Sequence, residues 1–281
     1  MKVKLIAHTP EPEKVIAMAA KLCYSSSDID TLEESLTDEK IQSFLNMLMD
    51  LGHESPVEHV SFTFAIEGIS RSCSHQLVRH RIASYSQKSQ RYVNESQFEY
   101  ITPPSVLQDR DVQITYDDIM SRLQKDYDDL RNVLTTIHQS NLISDGVNPE
   151  DAYKKAQKLA NEDARFILPN ACETKIVVTM NIRSLYNFFK HRMCNRAQWE
   201  INRLAWAMWE ECLKVSKTLF KNAGPSCING KCPEGKMSCG KMSEVKSMHD
   251  FELDKERFFK ELDERDAYYY KTLNDVNGDE E

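Results

Sequence analysis

The sequence predicts an α+β fold, an antiparallel or mixed sheet flanked by long helices. Three observations predict it. Helical and strand-like patterns alternate irregularly instead of as regular βαβ units, a long helical pattern occupies residues 112–138, and two stretches carry strand character. With 281 residues, 41% hydrophobic and 28% charged, the chain can build a substantial core as one large domain or one domain with an appended tail.

In order, Val15, Ile16, Met18, Ala19 and Leu22 after Pro12 predict a short amphipathic helix. Ile41, Phe44, Leu45, Leu48 and Leu51 predict a firmer one, with Gly52 placed for a left-handed C-cap. Val60, Phe62, Phe64 and Ile66 alternate with Ser61, Thr63 and Ala65 as in a half-buried strand, which Gly68 is expected to break. Ser70 is placed to cap a helix running through Gln76 and Arg79 towards Arg81. Residues 82–101 read as an irregular loop and a short extended stretch stopped by Pro103-Pro104. After the long helix of 112–138, Asn148-Pro149 starts another. The β-branched run Thr174–Thr179 predicts a buried strand, and Ser184–Arg192 and Ala197–Phe220 predict helices. Trp199, Trp206 and Trp209 in the last of these are expected in the core or a subunit interface. A composition shift at Gly224-Pro225 divides a catalytic unit, 1–222, from a Cys/Gly-rich segment and acidic helical tail, 223–281.

The net charge of −8 is concentrated: residues 250–281 hold 12 acidic against 5 basic residues, a net of −7. Residues 71–92 carry Arg71, Arg79, Arg81, Lys88 and Arg91 with no acid, and 181–203 carry Arg183, Lys190, Arg192, Arg196 and Arg203 against Glu200. Two basic segments in an acidic protein suit local capture of small anions and disfavour nucleic acid as a partner. No apolar run approaches the ~18 residues of a membrane span, and the opening MKVKLIAHTPEPEK lacks a secretion signal. With eight cysteines read as reduced thiols, a cytoplasmic protein with no membrane partner is expected.

The eight glycines form neither G-x-G-x-x-G nor a Walker loop, so nucleotide phosphates must be held by side chains, chiefly arginine forks. His53 and His59 match no helical-face metal pair, and no metal is expected there. Cys227, Cys232 and Cys239, completed by Cys212 or His249, offer four zinc ligands without the usual C-x2-C spacing; free surface thiols are the alternative, and no metal is expected. On a helix, Gln76, Arg79 and His80 share a face, and Gln87, Ser89 and Arg91 follow as neutral and cationic donors suited to a phosphomonoester and a polar ring. A solvated basic helix end explains the same composition equally well.

Arg79-His80-Arg81 through Ser89 to Arg91, the pattern R-H-R-x7-S-x-R, resembles the signature of the flavin-dependent thymidylate synthases, the thymidylate synthase-complementing family. The resemblance extends in order through Gly52-His53-Glu54-Ser55-Pro56-Val57-Glu58-His59, Gln76, Arg165 in R-F-I-L-P, Asn181-Ile182-Arg183-Ser184-Leu185, Asn187, Arg192 and Ala197-Gln198-Trp199-Glu200. It implies that family's fold and a homotetramer with sites shared between subunits, making dTMP from dUMP with FAD, methylenetetrahydrofolate and NADPH and releasing tetrahydrofolate. It implies FAD binding by Ser55, Arg79, His80, Arg81, Gln87, Asn181, Arg183 and Asn187, with His53 near the flavin. It implies dUMP binding by Gln76, Arg79, Gln87, Lys88, Ser89, Gln90, Arg91, Arg165 and Arg192. Gln87 stands where some relatives carry Glu.

Within that chemistry Arg192 is expected to be catalytic, its guanidinium polarising or ionising the uracil ring as an oxyanion hole would. Cys73 is expected to pack inside its helix, Cys194 matches no catalytic position of the family, and Ser89, lacking an adjacent base, is expected to bind phosphate rather than act as a nucleophile. Asn181 and Arg183 fall at a strand-to-helix junction suited to anions, although capping alone explains Asn181. His191 and Lys190 are expected as rim charges. The rival function is a non-catalytic protein binding nucleotide or RNA phosphates through the two arginine clusters.

Overall fold

A computed structural model describes residues 1–92, Glu95 and residues 97–254. The elements run β1 (Lys2–His8), α1 (Pro12–Leu22), α2 (Ile29–Glu34), α3 (Asp38–Asp50), a 3-10 turn (Pro56–His59), β2 (Ser61–Ser70), α4 (Arg71–Leu77) and β3 (Ala83–Gln87). There follow α5 (Arg110–Ser144), α6 (Pro149–Ala164), β4 (Glu173–Asn181), α7 (Ile182–Arg192), α8 (Trp199–Leu213) and α9 (Lys217–Phe220); residues 242–254 are also helical. The expected α+β class holds. The contacts divide the chain into one compact unit of residues 1–7 and 62–180 and a second of residues 8–61 and 181–281.

The first unit carries the four-stranded sheet, order β1-β2-β4-β3. On β2, Phe62, Phe64 and Ile66 are buried and Thr63 and Ala65 less so, the alternation that the sequence predicts. Gly68 does not end the strand. At φ +73° it takes a conformation open to glycine, its N–H donates to the Glu173 carboxylate at 2.8 Å, and the strand continues to Ser70. β4 alternates as well, with Ile176, Val178 and Met180 buried, so the expected wholly buried strand has one open face, where Val177 lies. β3 pairs antiparallel with β4, Ala83 opposite Met180 and Gln87 opposite Ile176, inside a stretch read from sequence as irregular. β1 was not foreseen either: Val3 and Leu5 are only half-buried, so its apolar signal is slight. The pair α5 and α6 packs along a stripe of small residues, Ala152, Ala156, Ala160 and Ala164, each buried and one helical turn apart. Arg131 Nε donates to Asn161 Oδ1 (2.6 Å) across that contact.

In the second unit α3 buries Ile41, Leu45 and Leu48, worth about 1.5–3 kcal/mol each. It ends as expected at Gly52, φ +70°; Gly52 N–H and His53 N–H donate to the carbonyls of Met49 and Leu48, a Schellman closure. The helix expected over 197–220 is two: Ser216 accepts the Leu219 N–H and restarts the chain as α9. Trp206 and Trp209 are buried, and Trp209 Nε1 donates to Phe220 O at 2.9 Å. His249, from the 242–254 helix, stacks on Trp209 with centroids 4.5 Å apart. Of the expected acidic tail, Phe258, Phe259 and Leu262 lie outside the described residues. No described helix is long and apolar enough to cross a membrane.

Candidate active site

In the first unit the Arg79-His80-Arg81 motif follows α4 rather than extending it. Helix α4 starts at a Ser70 cap (Cys73 N–H to Oγ, 3.0 Å) and stops at Leu77. The motif turns out of it through Arg79 N–H to Gln76 O (3.4 Å) and His80 N–H to Leu77 O (3.1 Å). The helix expected to run on towards Arg81 therefore ends at Leu77, and Arg79 and His80 follow it in i→i−3 turns instead of on a continued α-helix. Tyr85 holds the turn: its hydroxyl shares its one proton between Leu77 O (2.9 Å) and His80 O (2.8 Å), and burial pushes its pKa up to about 12, so it stays a donor. Arg79 and Arg81 are exposed and His80 half-buried.

β3 then carries Gln87, half-buried, whose Nε2 donates to Ser74 Oγ (2.9 Å) and Thr174 Oγ1 (3.2 Å). Lys88 N–H extends the ladder to Lys175 O, while its ammonium pairs at 3.0 Å with Glu95, a nearly buried carboxylate. Ser89 Oγ accepts the Arg91 N–H (3.2 Å), and Arg91 pairs with Glu162 at 2.9 Å, which raises the guanidinium's pKa. Gln90 lies half-buried in this turn. Arg165 donates from Nε to Glu162 O (3.2 Å). Arg71 Nη1 lies 3.4 Å from Lys88 O and 3.5 Å from Thr174 Oγ1; burial, and next the charge of Arg165, lower its pKa. The unit thus brings Gln87, Lys88 and Arg71 into one polar network, with Ser74, Thr174 and Glu95 as supports that the sequence does not single out, while Arg91 and Arg165 both bond Glu162. Cys172 beside it is inert, its thiol pushed up to about 12 by burial.

In the second unit, Asn181 Oδ1 accepts the Ser184 N–H (2.8 Å), capping α7. Arg183, exposed in the first turn, bonds Glu58 and approaches Glu54 at 3.5 Å; both raise its pKa, the Glu58 bond first. Asn187, one turn on, is exposed, and its backbone carbonyl accepts from His191 Nδ1 at 2.8 Å, the contact of the Nδ1–H tautomer. His53 and Ser55 are exposed on the loop between α3 and the 3-10 turn. Arg192 ends α7, partly buried, with its carbonyl fixed by Asn202 Nδ2 at 2.9 Å. A cavity of about 340 Å³ lies beside this set, lined by His53, Glu54, Tyr186, Lys190, Leu219 and Asn229 among others. Lys190 and His191 are exposed, as rim charges should be.

All eight cysteines are free thiols. Cys73 is buried in α4 and Cys212 in α8. Cys227 has Cys194, Cys232 and Cys239 as electrostatic neighbours, while Cys212 and His249 belong to the packed core. Among the described residues, no three His, Cys, Asp or Glu side chains are disposed to hold a metal ion.

Within the first unit the groups at 79–91, and within the second those at 53–55 and 181–192, are guanidinium, amide and hydroxyl groups of the kind that hold anionic nucleotides. Comparison with known proteins points the same way. The profile of the thymidylate synthase complementing protein family matches residues 4–216. The chain is 55% identical over 249 residues to the flavin-dependent thymidylate synthase of Clostridium tetani, covering 89% of this chain and 97% of that one. It is 48% identical over 250 residues to that of Geobacter sulfurreducens, covering 88% and 97%. A crystal structure of a flavin-dependent thymidylate synthase from Helicobacter pylori, complexed with FAD and dUMP, shares the fold at TM-score 0.51 and 23% identity, covering 80% of this chain and 100% of that one.

Proposed function

The chain belongs to the thymidylate synthase complementing protein family, the flavin-dependent thymidylate synthases, and from that membership we propose that it methylates dUMP reductively to dTMP. Methylenetetrahydrofolate donates the carbon, NADPH the reducing equivalents, and tetrahydrofolate leaves. The observation that carries this reading is the match over 4–216, which contains the whole ordered set from His53 to Arg192.

The donor chemistry fits FAD. Ser55, Asn181, Arg183 and Asn187 in the second unit, and Arg79, His80, Arg81 and Gln87 in the first, are proposed as its ligands, with His53 near the ring. Arg183 stays cationic beside Glu58 and Glu54 and is exposed, so it is available to a diphosphate. When bound, FAD supplies the hydride chemistry. Gln76, Arg79, Gln87, Lys88, Ser89, Gln90, Arg91, Arg165 and Arg192 are proposed for dUMP. Ser89 holds its own loop through the Arg91 N–H and retains its hydroxyl proton for a phosphate oxygen. Arg192 places positive charge at the uracil carbonyl and ring N–H. It favours the N3-deprotonated, electron-rich ring and so makes carbon 5 nucleophilic without a cysteine adduct. The free state of all eight thiols supports a reducing, cytoplasmic setting, and the homotetramer is the proposed assembly.

The test is the visible spectrum of the purified protein followed by an anaerobic assay with FAD, NADPH, dUMP and methylenetetrahydrofolate. A yellow protein that forms dTMP only when all four are present is expected. A colourless protein that binds phosphate compounds and forms no dTMP would establish the non-catalytic alternative.

A further inference from the structure

We propose that the cavity beside His53 takes the aminobenzoyl-glutamate half of the folate, with Lys190 as the cation that meets a glutamate carboxylate. This rests on the assignment of methylenetetrahydrofolate as the carbon donor.

The cavity, about 340 Å³, lies wholly within the second unit. His53 and Glu54 reach it from the loop after α3. Part of its lining is apolar: Met49, Leu219 and the ring of Tyr186, whose hydroxyl is committed to Leu219 O at 2.6 Å. Another part is the amides of Asn222 and Asn229 with the Ser226 hydroxyl, all beyond residue 216, where the family match ends. Lys190 lies one turn beyond Tyr186 on α7, so ring and ammonium share a helix face towards the cavity. Among the described residues no carboxylate lies within ion-pair distance of that ammonium. Glu54 is drawn instead to Arg183, 3.5 Å from its Nε. An aromatic ring joined through an amide to a carboxylate matches these groups in kind. No arginine is among the described residues of the lining, as the diphosphate of a dinucleotide would call for.

The wall beyond residue 216 is built before any ligand arrives. The helix of residues 242–254 fixes it: His249 Nε2 donates to Ala223 O at 3.1 Å, its ring stacks on Trp209, and Val245, one turn back, is buried. A Cβ on Gly224 would lie 2.7 Å from Ile228 Cδ1 and 3.2 Å from His249 Cδ2, so glycine is what lets the wall close this tightly. Asn229 Nδ2 donates to Asn222 O at 2.8 Å, which leaves Asn229 Oδ1 for a ligand N–H. A wall already ordered adds little ordering cost to binding.

The experiment titrates flavin-loaded, dUMP-saturated protein anaerobically, by calorimetry, with tetrahydrofolate and with its glutamate diamide, which is equal in shape but uncharged at that end. Wild type, Lys190→Met and Lys190→Arg are compared; Lys190 is exposed, so all three should fold. Wild type should prefer tetrahydrofolate by about three- to tenfold, as for a charge-assisted hydrogen bond at an open site. Lys190→Met should lose that preference by weakening tetrahydrofolate alone, and Lys190→Arg should keep it. In Lys190→Met the KM for methylenetetrahydrofolate should rise with kcat unchanged, and FAD titration of the apoprotein should match wild type. No preference in wild type, or the wild-type preference retained in Lys190→Met, would overturn the proposal. Weakened FAD binding in Lys190→Met would give the cavity to the flavin and overturn it as well. A wild-type protein that holds FAD and dUMP yet binds neither compound would remove the carbon-donor assignment, and the proposal with it.

Discussion

Replacing Tyr85 by phenylalanine removes one oxygen and tests whether the Arg79-His80-Arg81 turn is held by side-chain chemistry. The hydroxyl shares its one proton between two carbonyls, Leu77 at 2.9 Å and His80 at 2.8 Å; its loss takes this donor from His80 O, while Leu77 O keeps the His80 N–H. A typical hydrogen bond contributes about 0.5–1.5 kcal/mol net, and a buried polar group left unpaired costs about 1–3 kcal/mol. Tyr85 and His80 are half-buried, so water can recover part of that cost, and the expected loss of stability is about 2 kcal/mol. As every 1.4 kcal/mol is a factor of ten, the fraction of this energy that reaches the turn should weaken FAD binding by about two- to tenfold. Denaturant unfolding monitored by circular dichroism gives the first number, and flavin titration of the apoprotein gives the second. Because the Tyr85 pKa is about 12, the wild-type advantage should persist at pH 10.5, where ordinary phenols have begun to ionise. Tyr85→Phe with wild-type stability and wild-type flavin affinity would refute the reasoning.

Arg192→Ala should leave flavin bound and lower turnover by about 100- to 1,000-fold, measured as dTMP formed under single-turnover conditions. Gly68→Ala forces a side chain into φ +73° with its Cβ 2.9 Å from Met1 N; it should cost about 2–3 kcal/mol in denaturant unfolding, whereas Gly146→Ala, with φ +85° but no neighbour within 4 Å, should cost less. Burial holds the His249 pKa below its usual 6.5, so the folded state takes up this proton less readily than the unfolded chain. That contribution is complete above pH 6.5 and is lost as the pH falls through the lower folded-state pKa; thermal melts between pH 8 and 5 should show a loss that His249→Phe reduces.

Much of the scaffold was legible because its signals are local. Ile41, Leu45 and Leu48 fall on one helical face, Gly52 closes that helix with φ +70°, and Asn148 caps the helix that Pro149 begins. The strand of Phe62, Phe64 and Ile66 announces itself by alternation. β3 escaped notice because its alternation is polar: Ser84 and Ser86 face out, while Tyr85 and Gln87 face in to make hydrogen bonds rather than apolar contacts. Gly68 was misjudged because a glycine that breaks a strand and one that lets it pass close to another backbone are identical in sequence. For the site, the residue types of both basic clusters were plain, but their partners were not. Thr174 lies 87 residues from Gln87, and only the pairing of β3 with β4 brings them together. Arg71 was legible only as a member of the 71–92 basic segment; the fold sets its Nη1 3.4 Å from Lys88 O.

The eight thiols, none of them in a disulfide, differ in what an alkylating reagent would meet. Cys23 and Cys239 stand open to solvent, whereas Cys73, Cys172, Cys212 and Cys227 are shielded. For Cys172, Cys212 and Cys227, burial also suppresses the thiolate that such a reagent needs. A maleimide dye at neutral pH should therefore attach first at those two natural handles, one near the end of α1 and one in the glycine-punctuated segment after α9, giving fluorescence access to the second unit without engineering a single residue.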